Sequence, residues 1–248
     1  MAIKSILVTQ PKPESDKNPY FDLAKKYKLK IDFREFIEIE GVDVKEFRKD
    51  RINIPDYSAV ILTSRNAVDH FFRICKEIRY TVPDELKYFC ISEATAYYLQ
   101  KYVIYRKRKI FHGKQTFAEL ADLIKKHKEE KFLLPCTDIH KQEITTLLDQ
   151  HHIKYAKAVL YRTVASNLSD LANVNYDMLV FFSPSGIESL MMNFPKFKQA
   201  NTRIAAFGST TASAVKQAGL RLDIHAPQPL YPSMTMAIEH FLKTNKDK

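Results

Sequence analysis

The feature that most constrains this chain is an internal repeat. Residues 56–68 (DYSAVILTSRNAV) and 175–187 (NYDMLVFFSPSGI) share one pattern, an apolar run that ends in a serine-bearing turn. After each turn, apolar residues recur every three or four positions, which is the period of one helix face. Residues 88–99 and 205–215 form a second matched pair of strand, small polar turn and helix. This self-similarity predicts two related α/β units.

The repeat is circularly permuted along the chain. Residues 131–137 (KFLLPCT) and the helical pattern after them resemble residues 5–10 (SILVTQ) and the helical pattern that follows those. Residues 131–137 come after the repeated segments of their unit. Residues 5–10 come before the repeated segments of theirs. The simplest arrangement therefore places one unit inside the other, and 248 residues suit two units of about 120 residues each.

We therefore predict an α/β fold with two similar parallel-sheet domains, the second inserted into the first, joined by a two-stranded β hinge. Because the carboxyl ends of parallel strands meet at one edge of a sheet, the polar turns of each domain are expected to converge. The expected ligand site is the cleft between those two edges. The predicted ranges are 1–37 with 165–248 for the first domain, 42–160 for the inserted domain, and 38–41 with 161–164 for the hinge strands.

Glycine content excludes several nucleotide-binding routes. The chain has only 5 glycines, and it contains no GxGxxG, GxxxxGK[ST] or GxSxG motif. Its 3 cysteines form no CxxC pair, so we expect small buried side chains and no zinc site. The histidines form no HExxH motif, and Cys136 with His140 offers only two ligands. We therefore expect no metal site.

The net charge of +10 favours an anionic partner. A basic run at residues 106–109, preceded by Tyr102 and Tyr105, leaves nucleic-acid binding open as an alternative, but no known nucleic-acid-binding motif accompanies it. We expect a small polyanionic ligand and no nucleic acid. The apolar runs are too short to span a bilayer, and the N-terminus lacks the apolar core of a signal peptide. The expected protein is a cytoplasmic monomer without membrane contact.

Polar turns supply the candidate ligand-binding residues. Helix N-termini leave unpaired N–H groups and a partial positive charge, so several of them directed at one place would bind carboxylates. The alternative for each serine or threonine is a simple N-cap. Recurrence at matched turns favours the binding role for the set as a whole, which comprises Thr9, Ser64, Asn66, Thr95, Ser183, Ser185, Gly208, Ser209, Thr210 and Thr211.

Tyr161 is the candidate catalytic residue. It lies in the β-rich segment 157–163, which is predicted to cross between the domains, so its hydroxyl could reach the cleft as a weak acid or hydrogen-bond donor. A tyrosine in a strand also suits a packing role. The two roles remain open at this point.

Several motifs together resemble the uroporphyrinogen-III synthase family over nearly the whole chain. They are LVTxP at residues 7–11, TSxNAV at 63–68, YxT at 161–163, FSPSG at 182–186 and AAFGxTTA at 205–212.

The resemblance implies two α/β domains joined by a β-ladder, no metal or organic cofactor, and a polycarboxylate substrate, hydroxymethylbilane, held in the cleft largely by backbone amides. The family cyclises this bilane with inversion of its last ring, ring D. The resemblance further implies that Tyr161 helps hydroxide to leave, and it places Ser64, Thr95, Ser183 and Thr211 at substrate-contacting positions.

The sequence departs from the family pattern at three turns. Glu93 brings a negative charge into a turn that commonly holds glycine and a small residue, Gln10 replaces a common arginine, and Ser209 replaces a usual proline. These differences indicate a divergent member. The alternative function is a catalytically inactive two-domain protein that clamps a tetrapyrrole or another polyanion.

Overall fold

The computed structural model describes residues 3–114, 116–138 and 142–245 of this chain. It shows a mixed α/β fold built on two sheets. The chain divides into two compact units, a first unit of Met1–Glu38 with Val164–Lys248 and a second unit of Ile39–Thr163.

The strands, in chain order, are β1 (Ser5–Val8), β2 (Lys30–Phe33), β3 (Ile37–Gly41), β4 (Ala59–Leu62), β5 (Lys87–Cys90), β6 (Ile110–His112), β7 (Phe132–Thr137), β8 (Tyr155–Ala165), β9 (Met178–Phe181), β10 (Arg203–Phe207) and β11 (Ile224–Ala226). The helices are α1 (Pro19–Tyr27), α2 (Val44–Phe47), α3 (Arg65–Glu77), α4 (Glu93–Leu99), α5 (Phe117–Lys125), α6 (Gln142–Gln150), α7 (Pro184–Asn193), α8 (Ser209–Gln217) and α9 (Met234–Thr244). Short 3-10 turns cover Arg48–Asp50, Ile54–Asp56 and Ser169–Leu171.

The sheet of the first unit has the order β11-β10-β9-β1-β2, and its paired strands run parallel. Successive residues of β1 face opposite sides, so Ile6 packs in a core with α1 and α9 whereas Leu7 packs with α7 and α8. A parallel sheet covered on both faces needs strands that are apolar throughout, and β9 is buried at every position.

The sheet of the second unit has the order β3-β8-β7-β4-β5-β6, with parallel pairing from β8 to β6. Val60 and Leu62 of β4 pack with α3 and α4, and Ile61 packs with α5 and α6. The first sheet, read in the order β2-β1-β9-β10-β11, matches the order β8-β7-β4-β5-β6 of the second sheet. Matched strands hold the same place in the two sheets but follow a different order along the chain. The same sheet is thus built from a permuted sequence.

The predicted strand–turn–helix segments are confirmed at β4–α3, β5–α4, β9–α7 and β10–α8. The three cysteines are buried and free, as expected for small apolar side chains. None of the helices in the described ranges is long and apolar enough to cross a membrane.

Candidate active site

The turns of the first unit meet because the strands that precede them are neighbours. β1 and β10 flank β9, so Thr9, Ser183 and Gly208 follow three adjacent strand ends. The Thr9 hydroxyl donates to the Val180 carbonyl at 2.9 Å, and its Oγ lies 3.8 Å from where a Cβ on Gly186 would stand. Thr9 is only 8% exposed, so its hydroxyl ties the turn after β1 to strand β9 rather than facing solvent.

Helix α7 begins at Ser183, whose Oγ accepts a hydrogen bond from Gly186 N at 3.3 Å. Pro184 occupies the first helical turn, where a missing N–H costs nothing. The side chains of Ser183 and Ser185 are half-buried. This turn is therefore capped by its own serine.

Helix α8 begins differently. Its N-cap is Gly208, at φ 86°, a left-handed conformation that favours glycine, and no side chain caps the helix. Ser209 and Thr210 are exposed at the start of α8, whereas Thr211 is 1% exposed. An uncapped N-terminus carries unpaired N–H groups and a partial positive charge, which is an arrangement suited to a carboxylate.

In the second unit, Ser64 performs two tasks at the start of α3. Its Oγ accepts from Ala67 N at 3.1 Å and lies 3.3 Å from the Tyr161 hydroxyl. Asn66, in the first turn of α3, is exposed. Thr95 is 5% exposed, and its hydroxyl lies 3.2 Å from Ser92 Oγ, which caps α4.

Tyr161 lies in the second half of β8 and pairs with Thr137, the last residue of β7, just after a shift in the strand register. Its side chain is 6% exposed, and its ring stacks on His70 with centroids 5.0 Å apart and planes 20° apart. Burial raises the pKa of Tyr161, and the hydrogen bond with Ser64 acts in the opposite direction. The phenol is therefore protonated at neutral pH, which is the form that can donate a proton.

His70 and Arg73 on α3 hold Tyr161 in place. Arg73 Nε donates to His70 Nδ1 at 3.1 Å, and Arg73 Nη2 donates to the carbonyls of Val42 at 2.9 Å and Leu160 at 3.0 Å. Burial lowers the pKa of His70, and Arg73 lowers it further. His70 is thus neutral, with Nδ1 as the acceptor. The guanidinium fixes the residue before Tyr161, while the imidazole packs on the phenol.

Gly41 makes room for this arrangement. A Cβ at position 41 would lie 2.9 Å from the guanidinium carbon of Arg73, which is too close for an undisturbed side chain. Nothing in the sequence singles out His70 or Arg73, because the spacing of residues within one helix does not reveal which distant strand they contact.

The residues that the structure describes contain one group of three residues that could ligate a metal ion, His127, Glu129 and Glu130. It lies beyond α5, before β7, at the edge opposite the polar turns. Glu130 pairs with Lys87 there. Its position therefore separates the group from the candidate site. The Cys136–His140 pair considered from the sequence cannot be assessed, since His140 lies outside the described residues.

Part of the basic run 106–109 serves the local structure. Arg106 pairs with Asp84 at 2.9 Å, and Lys109 Nζ donates to the Asp84 carbonyl. The two residues therefore tie the segment before β6 to the loop before β5.

Comparison with known proteins finds relatives of one family. The family model described as uroporphyrinogen-III synthase HemD matches residues 23–236. A uroporphyrinogen-III synthase of Chlorobaculum parvum is 26% identical over 262 residues, covering 97% of this chain and 100% of the relative.

Two solved structures share the fold. The uroporphyrinogen-III synthetase of Helicobacter pylori superposes with a TM-score of 0.62 at 18% identity, covering 98% of this chain and 100% of its own. A mutant uroporphyrinogen III synthase of Thermus thermophilus gives 0.53 at 14% identity, covering 99% and 100%. The match of the family model over most of the chain shows that this protein belongs to the uroporphyrinogen-III synthase family.

Proposed function

We propose that this protein is a uroporphyrinogen-III synthase, which removes water from hydroxymethylbilane and closes the macrocycle with ring D inverted. The observation that carries the proposal is the phenol of Tyr161, protonated, hydrogen-bonded to Ser64 and placed at the N-terminus of α3. Family membership supplies the reaction, and this contact supplies the proton donor.

Tyr161 donates its proton to the departing hydroxyl of the bilane, which leaves as water. The bilane becomes a cationic azafulvene, and the tyrosinate is stabilised by Ser64 and by the positive end of α3. The substituted carbon of ring D attacks the azafulvene to form a spiro intermediate, which fragments and recloses in the inverted order. The proton lost in the final ring closure returns to the tyrosinate, so the protein ends the cycle unchanged.

The carboxylates of the bilane bind to the polar turns. In the first unit, the uncapped start of α8 offers the backbone N–H groups of Ser209 and Thr210, and Ser183 and Ser185 lie at the neighbouring turn. In the second unit, Asn66 is the exposed polar side chain beside Ser64. The net charge of +10 draws in the polyanion.

Three of the candidate binding residues support the turns rather than the substrate. The hydroxyls of Thr9 and Thr95 are engaged with Val180 and with Ser92, and the side chain of Thr211 is buried. We assign them to holding the turns in shape, with Thr211 contributing its backbone N–H at the start of α8.

The two compact units are proposed to be the two domains of the family, with residues 38–41 and 161–164 as hinge strands. The working form is proposed to be a monomer. Holding a flexible chain in one conformation favours the inverted closure over the spontaneous closure.

The test is incubation of the purified protein with hydroxymethylbilane, followed by oxidation and separation of the uroporphyrin isomers. Type III product above the spontaneous background is expected. Type I product alone, together with saturable binding of the bilane, would instead establish the inactive clamp. A reaction without protein gives the background, and sedimentation analysis during turnover tests the monomer.

A further inference from the structure

The second unit contains a groove of about 960 Å³ that the proposed reaction does not use. It is formed by the second half of α3, the loop from α3 to β5, and the chain between α4 and β6; we call it the α3–α4 groove. The polar turns follow the carboxyl ends of the strands, whereas this groove is lined by residues at the start of β5 and β6. Its volume suits a small organic molecule.

The walls of the α3–α4 groove are aromatic and aliphatic. Phe72 and Tyr102 stack with centroids 4.4 Å apart and planes 1° apart, and Tyr88 lies 6.3 Å from Phe72. Val103 and Ile110 also line the groove. Such walls favour a ligand with a flat apolar body, since aromatic faces pack on one another with little entropy loss.

Tyr88 brings a hydroxyl to the wall of the groove. Tyr88 is 4% exposed and lines the groove, yet its hydroxyl makes no hydrogen bond to any residue in the described ranges. Burial raises the pKa of Tyr88, so the hydroxyl keeps its proton. A protonated hydroxyl at the wall of the groove is a hydrogen-bond donor, and a bound acceptor atom would pair with it.

The rim of the groove carries two cations without partners. Arg73 pairs with Glu77, and Arg106 pairs with Asp84. By contrast, Lys76 and Arg79 form no ion pair with any residue that the structure describes. The groove therefore has positive charge available for an anion.

We propose that the α3–α4 groove is a second binding site, and that it takes a small aromatic carboxylate. The flat body packs against Phe72, Tyr102 and Tyr88, the Tyr88 hydroxyl donates to a ligand oxygen, and the carboxylate pairs with Lys76 and Arg79. The inference is independent of the bilane reaction, because none of these side chains belongs to the polar turns.

The probe is 2-naphthoate, measured by titration calorimetry, with uncharged 2-naphthamide as the matched ligand control. Saturable binding of one 2-naphthoate per chain is expected, with the amide at least tenfold weaker because it cannot pair with the cations. Lys76→Gln with Arg79→Asn should weaken 2-naphthoate about tenfold. Asparagine is chosen because position 79 has φ 60°. Tyr88→Phe should weaken binding about threefold to tenfold without lowering the melting temperature, since its hydroxyl has no partner to lose.

The matched protein control is Lys196→Gln with Lys198→Gln, at an apolar groove of about 550 Å³ beside α7 in the first unit. It should leave 2-naphthoate affinity unchanged. Loss of binding in this control but not in the Lys76/Arg79 variant would overturn the proposal, as would equal affinity for the amide or the absence of saturable binding. Bilane turnover should be normal in the Lys76/Arg79 variant. Reduced turnover with unchanged 2-naphthoate affinity would assign those cations to the bilane and would also overturn it.

Discussion

The two units solve the same structural problem with different chemistry at their turns. In the first unit, α8 starts at Gly208 without a side-chain cap, and Ser209 and Thr210 are exposed. In the second unit, Ser64 caps α3 and also contacts the buried phenol of Tyr161. The first unit thus leaves one helix terminus without a side-chain cap, whereas the second unit places a capping serine beside a buried phenol. Duplication of a fold does not duplicate its role.

Tyr161→Phe should lower the rate of the reaction more than any other substitution below. Removal of the hydroxyl abolishes proton donation, so kcat should fall about a hundredfold to a thousandfold while KM changes little. Steady-state formation of type III uroporphyrinogen measures both constants. Tyr155→Phe, in the same strand with its hydroxyl bonded to Asp149, is the matched control and should retain full activity. Wild-type kinetics in Tyr161→Phe would show that the Tyr161 hydroxyl is not the proton donor.

Thr210→Asp should weaken the binding of the bilane to the start of α8 in the first unit. A carboxylate in the first turn of α8 competes for the N–H groups and repels the bilane, so KM should rise about fivefold to tenfold. The same substitution should stabilise the helix by about 0.5 kcal/mol, which separates a binding defect from unfolding. Asn66→Asp, in the first turn of α3, is the comparison in the second unit and should raise KM less. A larger rise for Asn66→Asp would reverse the comparison.

His70→Ala should reduce kcat about threefold to tenfold, because loss of the stacked ring loosens Tyr161. His70→Phe keeps an aromatic face and should retain more activity than His70→Ala. The kcat values of the two variants, measured beside wild type, test this order. Identical kcat values for the two would show that stacking does not position the phenol.

Acid should destabilise the second unit through His70. Its pKa is lowered in the folded protein, so below the ordinary value near 6.5 the unfolded chain binds a proton more readily than the folded chain. This contribution is present above that value and is lost as pH falls through the folded pKa. Melting temperatures between pH 7.5 and 5 should therefore drop more for wild type than for His70→Phe. Equal drops in melting temperature for wild type and His70→Phe would contradict this link between protonation of His70 and stability.

Periodicity and repetition were sufficient to predict the central strands of the two sheets, but not the edge strands β2, β6 and β11. The apolar runs at β4 and β9, and the helices after them, follow from local pattern because each run must be buried on both faces of a parallel sheet. The polar turns were predictable for the same reason, since turns must follow those strands.

Side-chain environment at the turns was not predictable. Thr95 and Thr210 both lie in the first turn of a helix, yet one is buried against a capping serine and the other is exposed. The contact of His70 with Tyr161 joins residues far apart in the chain, and it depends on how α3 crosses β8. The spacing of residues within one helix does not predict such a contact.

The space left by Gly41 has a consequence for how sequence variation should be interpreted. Position 41 has no functional group, is remote in sequence from residue 161, and would pass for a tolerant surface position in a strand. Yet the first atom of any side chain there would displace the Arg73 guanidinium and disturb its hydrogen bond to the Leu160 carbonyl, next to Tyr161. Harmless-looking substitutions at position 41 are therefore expected to behave as enzyme defects rather than folding defects.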